Sequence, residues 1–243
     1  MLNLTTATFQ RPDDLRDRTD PATLYARSYL LIRTVVGAIG VLLPFVLWAV
    51  DALVLHGSLT ARGSLSAYYH SGARDLFVGA LCITGCLLLT YLAAQPRTWD
   101  YWLSTVAGVA VLGVALLPTS RPDMYGGPPT PLQERWGEQT VATIHFTCAA
   151  VFILSLAALC FVFAHRDQRY GGRPRLHRAC GIAILAAVAW VALGLAVDLS
   201  IGWLTSLYLG EVVSVWAFGT SWLVKGFDLL HLTRASVRST PGL

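Results

Sequence analysis

The chain has 243 residues, of which 55% are hydrophobic and only 13% are charged. Soluble domains carry about 25% charged residues, so this composition excludes an ordinary soluble domain. The net charge of +4 does not indicate a nucleic-acid partner, because the sequence has no basic surface pattern with interleaved aromatic residues. Basic loops that face anionic lipid headgroups account for the charge.

Six apolar stretches are long enough to cross a bilayer, which takes about 20 helical residues. Polar tails are expected at residues 1–27 and 232–243, on either side of a membrane domain at residues 28–231. The sequence therefore predicts an all-α, polytopic membrane helix bundle with six transmembrane helices. In chain order they are Leu31–Leu53, Leu76–Ala94, Trp102–Leu117, Val141–Ala164, Cys180–Leu199 and Leu207–Leu229.

Basic residues near the ends of the spans predict the orientation, since they favour the cytoplasmic side. With both termini cytoplasmic, 14 of the 18 Lys and Arg residues lie inside. The remaining four, Arg62, Arg74, Arg121 and Arg135, lie outside. This bias predicts a multi-pass membrane protein with both ends in the cytoplasm.

The predicted orientation brings ionisable residues of several spans to the outer side. In the inner half we expect only Lys225, Asp228 and His231, near one helix end. Charged groups inside a bilayer are costly and persist when they face one another, water or a ligand. We therefore expect an outward-facing polar pocket, with scattered interfacial residues as the alternative. The outer residues are Asp51, Ser66, His70, Arg74, Asp75, His145, Asp198 and Glu211.

Four outer residues are candidates for catalysis: His70, Asp75, His145 and Glu211. His70, Asp75 and His145 are also candidate ligands of zinc, which histidine and carboxylate groups suit. Simpler roles stay open. His145 is equally explained by a hydrogen bond to a neighbouring helix, and Asp75 by capping its helix.

Candidate substrate-binding residues are Ser66, Tyr69, Arg74 and Trp216. Arg74 would pair with an anionic headgroup, and Trp216 would form an aromatic wall for an apolar ligand, with core packing as its alternative. For Glu211 an ion pair with Arg74 or Arg121 is the alternative to a catalytic role. The outer segment 118–140 is rich in Pro and Gly, and it is either a lid over the pocket or a plain connector.

Several motifs, in this order, resemble a known group of sequences. They are "SLSAYYHSGARDLFVG", "ALLPTS", "IHFTCAAVFILSLA" and "WAFGTSWLVKG", between Ser64 and Gly226. They are similar to bacterial six-helix membrane proteins of domain-of-unknown-function 998 and of the Frag1/DRAM/Sfk1 group. That resemblance implies a polytopic inner-membrane protein and no particular activity.

A weaker likeness is to the superfamily of alkaline ceramidases and adipoQ receptors, which are zinc-dependent membrane amidases. Ser66, His70 and Asp75 loosely match their serine, histidine and aspartate. The late His-x-x-x-His of that superfamily is absent from this sequence, and six spans are predicted where it has seven.

The leading hypothesis from the sequence is that the outer pocket binds or modifies a lipid or another hydrophobic small molecule. A metal-dependent hydrolase is one version of this hypothesis, and whether the protein is an enzyme stays open. The alternatives are a small proton- or cation-coupled transporter and a non-catalytic membrane scaffold. Expected partners are membrane lipids and a hydrophobic small molecule, with no nucleic acid.

Overall fold

The computed structural model describes residues 21–54, 59–91, 98–121 and 128–238, with the side chains of residues 21–27, 170 and 228–238 left aside. Most of these residues are helical. Two short irregular turns accompany the helices, a π-helical turn at Val50–Val54 and a 3-10 helix at Ser66–His70. The helices are α1 (Pro21–Ala49), α2 (Arg74–Thr90), α3 (Trp99–Leu116), α4 (Pro131–Trp136), α5 (Glu138–Tyr170), α6 (Pro174–Val197) and α7 (Ser206–Arg238).

The six long helices pack in a closed cycle. Each contacts its neighbours in chain order, in the sequence α1, α2, α3, α5, α6 and α7, and α7 returns to contact α1. Helix α5 also contacts α7 across the bundle. The chain therefore goes up and down around one bundle, and successive helices are joined alternately at its two ends.

The two ends of the bundle carry different connections. One end carries the segment Leu59–Ala73, helix α4 and the hairpin between α6 and α7; the other carries the turn between α5 and α6. We call them the outer and inner ends, after the predicted orientation. The α6–α7 hairpin consists of two antiparallel two-residue strands, β1 (Ser200–Ile201) and β2 (Leu204–Thr205), which fits the short connection in the sequence.

The predicted all-α membrane bundle is confirmed. Among the described residues, five helices are long and apolar enough to cross a membrane, within α1, α3, α5, α6 and α7. The second predicted span, Leu76–Ala94, coincides with α2, which has 17 residues and ends at Thr90. Six spans and the orientation of the termini stay predictions.

The helices extend beyond the predicted membrane domain at both ends of the chain. Helix α1 begins at Pro21, within the segment expected to be a tail, and α7 continues to Arg238. The remaining parts of the two predicted tails, residues 1–20 and 239–243, lie outside the described residues.

Glycines allow the first and last helices to approach each other closely. A Cβ atom at Gly219 would lie 2.8 Å from the carbonyl oxygen of Gly37 and 3.0 Å from the backbone nitrogen of Val41. A Cβ atom at Gly40 would lie 3.0 Å from the carbonyl oxygen of Val215. Small residues permit such backbone contacts between membrane helices, so this contact closes the cycle of helices.

The middle of the bundle is an apolar layer. Its buried side chains come from the central turns of every long helix, and they separate the polar groups at the outer end from those at the inner end. Members of this layer include Val36, Leu43, Leu47, Phe77, Leu81, Val111, Phe152, Leu156, Ile184, Val212 and Phe218.

Substitution of Gly219 tests the closure of the bundle. In Gly219→Ala the added methyl group overlaps α1, and such overpacking costs about 1–3 kcal/mol. We expect the melting temperature of the protein in detergent to fall by several degrees. Gly79→Ala is the matched control, because nothing lies within 4 Å of its Cβ position and alanine favours helix. Equal melting temperatures for the two variants would contradict the close approach.

Labelling of introduced cysteines tests the predicted orientation. Glu134 on α4 and Gln168 near the end of α5 are both exposed and lie at opposite ends of the bundle. A membrane-impermeant maleimide added to intact spheroplasts should label Glu134→Cys and spare Gln168→Cys until the cells are lysed. The wild type, with its five native cysteines, gives the background. The reverse pattern would invert the orientation.

Candidate functional site

The outer end of the bundle is closed by the segment Leu59–Ala73, which we call the outer cap. Most of its residues are buried although few of them are helical, so the segment folds into the mouth of the bundle. A buried irregular segment must find partners for its backbone polar groups. The buried members are Ala61, Arg62, Ser64, Leu65, Ser66, Ala67, Tyr68, Tyr69 and Ala73.

The side chain of Glu211 on α7 holds the outer cap by accepting a hydrogen bond from the backbone of the cap. The backbone N–H of Leu65 donates to Glu211 Oε2 at 2.6 Å, and the Ser66 hydroxyl donates to Oε1 at 3.3 Å. Next to α7, the Thr205 hydroxyl donates to the carbonyl oxygen of Gly63 at 2.5 Å. The ion pair of Glu211 with Arg74 or Arg121, weighed from the sequence, is replaced by this contact.

A buried ion pair, which the sequence did not single out, holds the start of the cap. Arg62 Nε and Nη2 donate to the two carboxylate oxygens of Asp51 at 2.8 and 3.1 Å. Only 6% and 3% of the two side chains are exposed. Loss of either partner would leave a buried charge uncompensated, so the pair fixes the cap to the end of α1.

His70 and His145 lie near each other at the outer end, close enough to interact electrostatically. His70 Nε2 is 2.8 Å from the carbonyl oxygen of Thr119, and His145 Nδ1 is 2.7 Å from that of Leu117. A carbonyl only accepts, so these two nitrogens carry the protons. Burial lowers the pKa of His70, and the hydrogen bond to Thr119 opposes this; the His70 ring is neutral at pH 7.

His145 has a second ring nitrogen with a free lone pair. The residue is fully buried, and its Nε2 atom has no hydrogen-bond partner among the described residues. With the proton on Nδ1, this nitrogen is an acceptor. The neighbouring-helix hydrogen bond expected for His145 is thus present. The backbone carbonyl of Val114 also interacts with the ring, while Nε2 itself has no hydrogen-bond partner among the described residues.

Arg74 is a cation held at the surface of the outer end. The residue is exposed at the start of α2. Its Nη2 donates to the Tyr69 hydroxyl at 2.8 Å, and its guanidinium carbon lies 4.4 Å from the centre of the Tyr69 ring. Arg74 and Tyr69 are therefore in direct contact, and their role in binding a substrate stays a prediction.

The expected zinc ligands do not come together. Asp75 is exposed in the first turn of α2, where an acid favours the helix N-terminus. Asp198 is exposed at the end of α6, in a left-handed conformation with φ of 52°. Within the described ranges, no three His, Cys, Asp or Glu residues are grouped so that they could hold a metal ion.

Trp216 packs against the first helix near Pro44. Pro44 lies inside α1, where it has no N–H to donate and disturbs the backbone hydrogen bonds of the preceding turn. The indole nitrogen of Trp216 donates to the carbonyl oxygen of Val41 at 3.0 Å, and its ring stacks on Phe45 with centroids 4.9 Å apart. These contacts favour the packing role over the aromatic wall.

The two described parts of the outer segment 118–140, residues 118–121 and 128–140, are anchored at the outer end. The carbonyl oxygen of Thr119 accepts from His70 and from Gln133 Nε2, the latter at 3.2 Å. Arg121 pairs with Glu138 at 2.9 Å. These contacts tie α4 and the segment before it to His70; movement of the segment as a lid stays a prediction.

The inner end contains a buried network that the sequence analysis missed. The carboxylate of Asp167 pairs with Lys225 and lies 3.2 Å from His177 Nε2, while His177 Nδ1 lies 2.7 Å from the Ser221 hydroxyl. Asp167 also accepts the backbone N–H of Arg173 at 2.9 Å. The expectation of only Lys225, Asp228 and His231 in the inner half was wrong.

The reason for this error lies in the extent of the helices. The predicted spans ended at Ala164 and resumed at Cys180, which placed Asp167 and His177 in a loop. Helix α5 continues to Tyr170 and α6 begins at Pro174, so both residues lie within the bundle. A further ion pair joins Asp100 at the start of α3 to Arg166. The side chains of Asp228 and His231 lie outside the described residues.

The fold and its two polar ends define a class of protein, a multi-pass α-helical membrane protein. The chain belongs to the family described as protein of unknown function (DUF998), whose profile matches residues 38–224. No curated protein and no solved structure matched the chain. The likeness to alkaline ceramidases gains no support, since Asp75 is exposed while Ser66 binds Glu211.

Removal of the Glu211 carboxylate tests how the outer cap is held. In Glu211→Ala the buried N–H of Leu65 loses its acceptor, which costs about 1–3 kcal/mol. We expect faster amide hydrogen exchange across Leu59–Ala73, read by mass spectrometry in nanodiscs, while peptides from the middle of α5 are unchanged. The control is Glu134→Ala, which changes an exposed glutamate on α4. Unchanged exchange in the cap would show that Glu211 does not hold it.

Proposed function

We propose that the protein binds a lipid, or another hydrophobic small molecule with a polar headgroup, at the outer end of the bundle. The observation that carries this proposal is His145, a fully buried histidine whose Nε2 lone pair has no partner among the described residues. A buried acceptor without a donor costs free energy, and a hydroxyl or amide group of a ligand would satisfy it.

Arg74 supports the same proposal from the surface. Its guanidinium group is exposed and already held by Tyr69. A fixed cation loses little conformational freedom when it binds, and arginine pairs with phosphate or carboxylate groups in a bidentate manner. An anionic headgroup at Arg74, with a hydroxyl or amide reaching towards His145 beneath the outer cap, is the arrangement that we propose.

The proposal concerns binding and not a reaction. The candidate catalytic residues have other partners or lie apart: Glu211 holds the cap, His70 donates to Thr119, and Asp75 is exposed. A metal-dependent hydrolase would need ligands that the described residues do not bring together. We place the protein in the bacterial inner membrane with both termini in the cytoplasm, on the distribution of its basic residues.

A small transporter is a second candidate. Buried ionisable groups at both ends of the bundle favour it: Asp51 and Arg62 at the outer end, beside the half-buried Glu211, and Asp167 and His177 at the inner end. Transport would require the apolar layer between them to open, because an ion does not cross such a layer unaided.

The proposal is tested with lipids of defined headgroup. Purified protein is exchanged into detergent with phosphatidylglycerol or phosphatidylcholine, and bound lipid is measured by native mass spectrometry. We expect preferential retention of phosphatidylglycerol. Arg74→Gln should weaken its binding about tenfold, the loss of one charge-assisted contact, and should leave phosphatidylcholine unchanged.

The role of the buried acceptor is tested with His145→Ala, and His165→Ala is the control. His165 lies on the same helix and is exposed. We expect only His145→Ala to lose lipid. Its melting temperature should also fall, because the variant removes a fully buried side chain and its hydrogen bond to Leu117, so lipid retention is compared well below both melting temperatures. Equal retention by all variants would refute the outer site and leave the scaffold hypothesis, in which the polar groups only hold the bundle together.

A further inference from the structure

Arg33 lies in an aromatic cage at the inner end of the bundle. The residue is on α1 and is only 1% exposed. Its guanidinium carbon lies 4.8 Å from the ring centres of Tyr29 and Phe163, 5.0 Å from that of Trp222 and 5.3 Å from that of Tyr91. We call these five residues the Arg33 cage.

Only part of the hydrogen-bonding capacity of the cage is used. Arg33 Nη2 donates to the hydroxyl of Tyr29 at 2.8 Å and to that of Tyr91. Arg33 Nε, Arg33 Nη1 and the indole nitrogen of Trp222 are buried and have no acceptor among the described residues. Arginine and tryptophan nitrogens only donate, so the N–H bonds of these three nitrogens lack an acceptor.

The charge of Arg33 also has no described counter-ion. Two buried carboxylates lie at the inner end, and both are paired with other cations: Asp100 with Arg166, and Asp167 with Lys225. A buried charge costs several kcal/mol after relaxation, while each cation–π contact returns about 0.5–2 kcal/mol. Water could accept hydrogen bonds from the cage but would not neutralise its charge.

We propose that the Arg33 cage binds a small inorganic anion, of which chloride is the abundant example. The ion accepts hydrogen bonds from Trp222 Nε1 and from one of the two unpaired Arg33 nitrogens, whose N–H bonds point in different directions, and it balances the charge of the guanidinium group. Four aromatic rings lie around the guanidinium group, which favours a monatomic ion over a phosphate or a lipid headgroup. This site is separate from the proposed lipid site, because the apolar layer lies between them.

An anion in the Arg33 cage would lie where several helices of the bundle meet. Its rings come from four helices: Tyr29 from α1, Tyr91 from the end of α2, Phe163 from α5 and Trp222 from α7. Phe163 also lies edge-on to His177, with centroids 5.9 Å apart. An anion at Arg33 therefore stabilises the contact among these helices and the buried network of Asp167.

Thermal unfolding in different anions tests the proposal. Protein in detergent is titrated from sodium gluconate into sodium chloride at constant ionic strength. We expect the melting temperature to rise and saturate, by about 2–4 °C at saturation. Gluconate is too large for the cage and serves as the reference. No difference between the two salts would overturn the proposal and would mean that water satisfies the cage.

Variants locate the response. Arg33→Gln should lose the dependence on chloride, whereas Arg135→Gln, which changes an exposed arginine on α4, should keep it. Trp222→Phe keeps an aromatic ring and removes one donor. It should raise the half-saturating chloride concentration about tenfold, the effect of one hydrogen bond.

If Arg33→Gln does not fold, Trp222→Phe still tests whether the anion binds in the cage. A chloride response that is unchanged in Trp222→Phe, or one that persists in Arg33→Gln, would place the anion elsewhere and refute the site. The lipid-binding experiment does not depend on this outcome, since its variants change residues at the outer end.

Discussion

The contact between the first and last helices is the constraint on which the rest of the structure depends. Gly37 and Gly40 on α1 face Gly219 on α7 at backbone distance, and this approach turns six helices in chain order into a closed bundle. Only in a closed bundle do the inward faces become an interior. Both polar clusters lie in that interior, so their burial depends on this approach of α1 and α7.

The bundle separates its polar groups into two clusters with different organisation. At the outer end, carboxylates hold an irregular segment in place: Asp51 binds Arg62 and Glu211 binds the backbone of Leu65. At the inner end, the partners are on the long helices themselves, as with Asp167 and Lys225. The outer cluster therefore depends on the cap staying folded, and the inner cluster depends on the helices staying together.

The sequence predicted the membrane bundle and most helix positions, because long apolar stretches report burial in lipid directly. It did not predict what each polar residue faces. Glu211 was a catalytic candidate, with an ion pair to an arginine as the alternative. Its partner is instead a backbone N–H, which every residue except proline has and which no sequence pattern marks. Arg33 was counted only as a cytoplasmic charge, because hydropathy indicates the depth of a residue and not the direction in which it points. His177 was missed because its helix begins earlier than its apolar stretch.

In the contact between Glu211 and Leu65, the backbone and the side chain of Leu65 have separate roles. The backbone of Leu65 recognises α7, while its side chain is 6% exposed and packs in the apolar core. The contact with α7 therefore depends on the backbone at position 65, and the contact with the core depends on the shape of its side chain. Replacement of Leu65 by another apolar residue of similar volume keeps the hydrogen bond to Glu211. Proline removes it however well its side chain packs, because proline has no N–H. At this contact the cap is held through its backbone.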